Sequence, residues 1–169
     1  MATIPVLNSQ GTVVYIADIP AVDWVDCTEA IAGVKAGDIV GCPQTIGALE
    51  ETRTVTEYKC MSSNDTAKAL GSITRGNIEI GLLFDPEDTA GQAALKAAWA
   101  ANDQFIVGLE LPDADVSVGP TGASGTIFWF AGGVSGVSTG IVQDEAVTYT
   151  VTIEISSDIT ECAMVSGSV

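Results

Sequence analysis

Over 146–155 the apolar residues Val147, Tyr149, Val151, Ile153 and Ile155 alternate with Thr148, Thr150, Thr152 and Glu154. A period of two places alternate side chains on opposite faces of a strand, so this segment predicts a half-buried β-strand. The same alternation runs through 77–84, where Ile78, Ile80, Leu82 and Phe84 share a face. Residues 12–17, 104–111 and 126–131 are β-branched and aromatic runs that also predict strands. Asp38-Ile39-Val40 predicts a short strand inside a segment, 18–44, that is otherwise irregular and punctuated by glycine and proline. Residues 45–60 read as extended and 61–72 as a loop. Gly132, Gly133, Gly136 and Gly140 break the pattern after 131 and leave an irregular strand.

The period changes once. Gly91-Gln-Ala-Ala-Leu-Lys-Ala-Ala-Trp-Ala-Ala is rich in the best helix former. Asp85 stands where an N-cap would, and Pro86 where the missing N–H of a first helical residue costs nothing. Glu87 and Asp88 suit the positive end of the helix dipole, and Asn102 and Asp103 end the element. Leu95 and Trp99, four apart, form one face to lie on a sheet. Strands, one helix at about 86–102, then strands predict a mainly β (α+β) fold, an antiparallel β-sandwich or barrel with a single flanking helix. The 169 residues fit one domain, with an N-terminal arm at about 1–11 and a flexible C-terminal tail at about 156–169.

Charge narrows the function. There are 22 acidic and 6 basic residues, a net charge of −16, so no basic footprint exists for binding nucleic acid tightly. Charged residues make up only 17%, against roughly 25% in ordinary domains, which suits a surface packed against neighbours. All six bases (Lys35, Arg53, Lys59, Lys68, Arg75 and Lys96) lie in the middle of the chain. Arg53, Lys59, Lys68 and Arg75 fall in the long polar stretch 50–75, read as an assembly loop that orders against acidic surface of a neighbouring subunit. No apolar run is long enough for a membrane helix, and the start lacks the pattern of a secretory signal.

Catalytic chemistry is sparse. The chain has no histidine, which removes the commonest general base and most zinc sites. Gly119-Pro-Thr-Gly-Ala-Ser-Gly125 lacks the lysine and the following helix of a phosphate cradle. Asp85-Pro-Glu-Asp88 and Asp113-Ala-Asp115 lack the remaining ligands of a calcium loop; capping and a solvated turn explain them better. Neither a cofactor nor a metal is expected, and no enzyme. Cys27, Cys42, Cys60 and Cys162 match no metal or redox spacing and are expected as reduced thiols.

Gly76-Asn-Ile-Glu-Ile-Gly-Leu-Leu-Phe-Asp-Pro-Glu-Asp, then Gly91-Gln-Ala-Ala-Leu-Lys-Ala-Ala-Trp, then Phe105-Ile-Val-Gly-Leu-Glu-Leu-Pro-Asp resembles the major tail tube proteins of long-tailed bacteriophages. Gly125-Thr-Ile-Phe-Trp-Phe-Ala-Gly-Gly-Val and Val147-Thr-Tyr-Thr-Val-Thr-Ile-Glu-Ile-Ser-Ser-Asp-Ile-Thr extend the likeness, which spans roughly residues 45–160 by order and spacing. The Ile155-Ser-Ser-Asp ending departs from the usual pattern, and 18–44 has no counterpart.

The resemblance implies a structural virion protein. Its subunits form hexameric rings that stack into the tail tube, the conduit for genome ejection. Its partners are further copies of itself, with other tail proteins at the tube ends, DNA only in passage and no membrane. The place implied is the virion tail, with assembly in the host cytoplasm. On that reading the polar strand faces, Thr148, Thr150, Thr152 and Glu154 with Glu79 and Glu110, line an acidic lumen that repels DNA and lets it slide. An inner tube of a contractile injection system is the alternative within the class. An extracellular carbohydrate- or calcium-binding β-sandwich is the alternative outside it, and needs an aromatic platform that Trp24, Trp99 and Trp129 do not evidently make.

Overall fold

The computed structural model describes residues 10–20, 24–59, 61, 65–113 and 125–163. The elements are β1 (Val13–Ala17), α1 (Cys27–Lys35), β2 (Asp38–Ile39), β3 (Pro43–Ile46), β4 (Glu51–Lys59), β5 (Thr66–Arg75), β6 (Asn77–Leu83), α2 (Gly91–Ala101), β7 (Gln104–Glu110), β8 (Ile127–Gly140), β9 (Thr148–Ile155) and β10 (Thr160–Cys162). The fold is mainly β, antiparallel throughout, as the alternation predicts. The main sheet runs β2-β1-β7-β8-β9-β6-β3, with β10 also on β8.

The 14-residue β8 organises this sheet. Its first half, 127–133, pairs with β7, and its second half, 132–140, pairs with β9. The register slips between Val134 and Gly136, the mark of a bulge. The glycines expected to interrupt this strand are instead what lets it continue through the handover. A Cβ on Gly132 would come within 2.6 Å of the Glu154 carbonyl oxygen. The sheet therefore has two halves that share β8: β2-β1-β7 with the start of β8, and the end of β8 with β9-β6-β3.

One face of both halves forms a single core. Val14 and Ile16, Phe105, Val107 and Leu109, Phe130, Ile78, Ile80 and Leu82, and Val151, Ile153 and Ile155 all lie in it. Leu95 of α2 is fully buried against them, whereas Trp99 stays 46% exposed. An 11-residue helix cannot cover seven strands, so the sheet must curl around its own apolar face. On the convex side, only the first half is covered. There α1 lays Ala30, Ile31 and Val34 over Tyr15, Ala17, Ile106 and Ile127. Gly108 lets Val34 approach β7, since a Cβ there would collide with the Val34 side chain.

Four sequence expectations change. Among the described residues, 18–44 holds a helix that the glycine and proline punctuation hid: Asp26 caps α1 by accepting from the Glu29 N–H, and the Glu29 carboxylate accepts from the Val25 N–H. Thus two helices are present. α2 begins at Gly91 rather than near 86, because the Asp85 carboxylate accepts from the Glu87 N–H and holds 85–88 as a turn. The stretch 61–72, expected as a loop, contributes most of β5, which pairs with β4 in a separate two-stranded sheet. The segment 156–163, expected as part of a loose tail, contains β10 and is bonded to β8. The N-terminal arm lies almost wholly outside the described residues, as do 164–169 of the tail.

Candidate assembly surfaces

The β4–β5 hairpin is the first surface. Every residue of β4 is exposed, as is every residue of β5 except half-buried Arg75. Alternation places Arg53, Val55, Glu57 and Lys59 on one face with Ile73, Leu70, Lys68 and Thr66 opposite them. That face carries an apolar centre, with Val55 50%, Leu70 69% and Ile73 37% exposed. The other face is Thr52, Thr54, Thr56 and Tyr58 with small residues across.

The structure brings the four expected assembly bases onto this hairpin but divides their roles. Lys68 pairs with Glu57 across the strands at 2.9 Å, both well exposed. Arg75 sits at the hairpin base, pairs with Glu51 at 3.0 Å and also reaches Asp158, which ties the hairpin to the segment after β9. Arg53 and Lys59 have no ion-pair partner among the described residues. The two bases outside the hairpin are engaged elsewhere. Lys35 pairs with Glu110, and the Lys96 ammonium lies 4.5 Å from the Phe84 ring centre and 5.2 Å from that of Tyr149.

The second surface is the uncovered convex face of β9-β6-β3 and the end of β8. Thr148, Thr150, Thr152 and Glu154 lie here beside Asn77, Glu79, Gly81 and Leu83, through the pairs Asn77–Glu154, Glu79–Thr152, Gly81–Thr150 and Leu83–Thr148. Gly136, Ser138 and Gly140 extend it across β8. Two carboxylates, hydroxyls and glycines face outward, and none of these residues is basic. Both margins of this four-stranded patch are open among the described residues. β3 pairs only with β6, and the 134–140 stretch of β8 pairs only with β9.

Glu110 does not join that face. It lies on the same convex side, but in the half that α1 covers. Its carboxylate accepts from Lys35 at 2.7 Å, from the Tyr15 hydroxyl at 2.8 Å and from the Gly125 N–H at 3.0 Å. Burial, then the Glu110 hydrogen bond and charge, push the Tyr15 phenol up to about 12. Glu110 is thus a structural anchor rather than a companion of Glu79 and Glu154.

Other acidic positions are similarly occupied. Asp88 accepts from the N–H groups of Gly41, Ala90 and Gln92. Burial works to raise its pKa, but these N–H groups, with that of Gly91, outweigh it and hold the carboxyl below its usual value. Fully buried Gln92 donates to the carbonyls of Leu83 and Gly41, locking α2 to the end of β6. Asp113 accepts from the N–H and hydroxyl of Thr126; Asp115 lies outside the described residues. No group of three potential metal ligands occurs among the described residues. A groove of about 670 Å³ between Gln10–Thr12 and β3 has no titratable lining residue.

Sequence reasoning missed two contacts. Trp24 and Trp129 meet edge to face with ring centres 4.9 Å apart, packed with the α1 layer. Cys27 and Cys162 form a disulfide, with Cα atoms 5.5 Å apart. This corrects the expectation of four free thiols. Cys42 is free and exposed, and Cys60 lies outside the described residues.

No protein-family model and no curated protein matches the sequence. Solved structures do match its fold. A chain of the anti-feeding prophage (AFP) baseplate, 6-fold symmetrised, aligns with TM-score 0.66 at 12% identity, over 96% of this chain and 98% of that one. The SPP1 tail tube aligns with TM-score 0.61 at 13% identity, over 93% and 79%. The tail of an empty gene transfer agent (GTA) particle, refined with C6 symmetry, aligns with TM-score 0.62 at 10% identity, over 94% and 100%. The fold is that of the tail-tube and tube-terminator proteins of phages and contractile injection systems.

Proposed function

We propose that this chain is a tail-tube subunit, a non-enzymatic structural protein of a virion tail whose copies form hexameric rings stacked into a conduit for DNA. The observation that carries this reading is the hairpin. A two-stranded hairpin exposed on both faces is marginal in water by itself, and this one presents Val55, Leu70 and Ile73 with two bases that have no ion-pair partner among the described residues. Such a surface is suited to another protein.

The sheet geometry supports rings and stacking separately. The open margins of the four-stranded patch, at β3 and at 134–140 of β8, lie on opposite sides of it. Pairing one copy's β3 with the next copy's β8 is a head-to-tail contact, and such contacts close into rings when the rotation permits. The hairpin leaves the patch at the Asn77 end of β6, whereas the β8–β9 turn and the acidic turn 85–88 lie at the Leu83 end. These ends are about 20 Å apart along a seven-residue strand. Exposed Ile141, Val142, Glu87, Asp144 and Glu145 at the second end complement Arg53, Lys59 and the apolar centre of the hairpin. Contacts between opposite ends propagate as a stack.

The uncovered polar face then lines the channel, with Glu79, Glu154, Thr148, Thr150 and Thr152 toward passing DNA. One sign of charge around a narrow channel repels the duplex from every wall. Glu110 is withdrawn from this role. Other tail proteins cap the ends, and assembly takes place in the host cytoplasm. Electron microscopy of the purified protein tests the reading: rings and tubes are expected, and monomers at high concentration overturn it. Deleting residues 61–70 should abolish tubes; intact tubes would remove the hairpin from the account. A lumen lined by Lys59, Lys68 or Arg75, or electrically neutral along its length, would refute the acidic channel. The contractile inner tube remains within this fold, since injection-system tube chains share it.

A further inference from the structure

The Cys27–Cys162 bond joins the first residue of α1 to the last residue of β10, across a sequence separation of 135. Its Cα separation of 5.5 Å is ordinary for a disulfide. The two sulfurs live in different surroundings. Cys27 is exposed, whereas Cys162 is 1% exposed and packed among Tyr15, Ile106, Ile127 and Val34.

The segment that Cys162 anchors has a definite task. Residues 156–162 cover the second edge of the first half of β8. The Ser156 and Ser157 N–H groups donate to the Ala131 carbonyl, the Ala131 N–H donates to the Ser157 hydroxyl, and β10 pairs with 127–129. A three-residue strand is a weak cover for an edge that could otherwise template pairing with another chain. The nine-residue α1 is equally short and rests on the small second apolar cluster. The disulfide is the covalent link between these two light elements.

We infer that this bond is an oxidant-dependent latch, closed after the subunit has folded and fastening the edge-covering segment to α1. Its chemistry follows from the burial. A low-molecular-weight disulfide is attacked by the exposed Cys27 thiolate and releases one small thiol, leaving a mixed disulfide on Cys27. The Cys162 thiolate then attacks the Cys27 sulfur and expels the second small thiol. The two protein thiols lose two electrons and two protons in all, and the small disulfide gains them as two thiols. The inference rests on the tail-tube reading only for where the oxidant is met, once the particle has left a reducing cytoplasm.

The test starts with protein made in a reducing bacterial cytosol and alkylated in denaturant at lysis, while a parallel sample is kept folded, treated with oxidised glutathione and then alkylated in the same way. Both cysteines should be alkylated in the first sample. In the second, the disulfide-linked Cys27–Cys162 peptide pair should appear, two hydrogens lighter than its two reduced peptides together, whatever glutathione the exposed Cys42 takes up. The Tm of the folded, oxidised protein should be higher by about 5–15 °C, a gain absent from Cys27→Ser and reversed by reductant in the wild type. In single variants, glutathione should attach to Cys27 of Cys162→Ser and leave Cys162 of folded Cys27→Ser untouched. A bond already complete at lysis, an unchanged Tm, or glutathione on Cys162 would overturn the latch. Microscopy of both redox forms is scored separately, so a lack of tubes counts against the tail-tube reading and leaves the thiol result intact.

Discussion

β9 and β5 are strands of similar length with opposite fates. In β9, Tyr149, Val151, Ile153 and Ile155 are all buried while the residues between them face outward. In β5, no residue is buried, and nine of the ten are exposed. One strand stabilises the subunit by removing apolar area from water, at about 1.5–3 kcal/mol per large side chain. The other leaves Leu70 and Ile73 in solvent and adds little to the isolated fold. The contrast separates two kinds of information in one chain: alternation specifies the subunit, and the exposed apolar positions of the hairpin serve its neighbours on the reading proposed above. If the division is real, substitutions in the two regions should affect different measurements.

The largest effect on folding belongs to the core. Ile153 is fully buried between the two sheet halves. Ile153→Ala should cost about 2–5 kcal/mol through lost transfer free energy and the cavity it leaves. Denaturant titration reads this as a lower midpoint. A cost below that of a surface substitution would show that the core is not where stability resides.

Asp88 comes next, and it adds a pH signature. Its N–H partners hold the carboxyl below the usual carboxylate value. A depressed folded pKa means stability is present above the unfolded value of about 3.9 and is lost as pH falls through the folded one. Asp88→Asn should therefore be less stable than wild type near neutrality, and the gap should shrink below about pH 4. A gap that widens in acid would contradict the hydrogen-bonding account.

Tyr15 gives the reverse slope with a smaller effect. Its phenol is raised to about 12, so its contribution is complete below the unfolded value of about 10 and is lost as pH climbs toward 12. Phenolate absorbance should show a tyrosine titrating well above the ordinary phenol value, and Tyr15→Phe should remove that step. Tyr15→Phe, which removes the hydrogen bond to Glu110, should cost about 1 kcal/mol at neutral pH. An unchanged alkaline stability curve in that variant would detach Glu110 from the anchoring role.

What the sequence made legible follows the same division. β6 and β9 could be read because one face of each is buried, and β7 and the start of β8 because β-branched and aromatic residues fill both of their faces. β5 could not, because alternation records a buried face and β5 has none. α1 left a signal, Asp26 followed three residues later by Glu29 with Ala30, Ile31 and Val34 behind it, but Gly33 within it and Gly37 just after it weakened the pattern. The start of α2 was misplaced because Asp85 closes a local turn that competes with the helix. Glu110 was assigned to the correct side of its strand, yet alternation does not say which side a helix will cover. The disulfide joins cysteines 135 apart, a pairing set by the register of β10 on β8 rather than by spacing.

The smallest effect on folding should come from Leu70→Asp, and it is the most informative. Leu70 is 69% exposed and faces Val55 across the hairpin, so little apolar area is lost when it changes. Substitutions at such positions usually stay within about 0.5 kcal/mol. The new carboxylate adds to a subunit that already carries a net charge of −16. It would sit beside Lys68 and Glu57, whose exposed pair is worth at most about 1 kcal/mol and is screened by salt. The denaturation midpoint should therefore match wild type. In the proposed stack assembly should not survive, because the end that meets the hairpin there carries Glu87, Asp144 and Glu145, whose like charge repels the new carboxylate. Microscopy and sedimentation should show folded subunits that form no tubes. Unchanged tubes would place the hairpin outside the subunit contacts, and a collapsed midpoint would place Leu70 in the core that β9 helps to build.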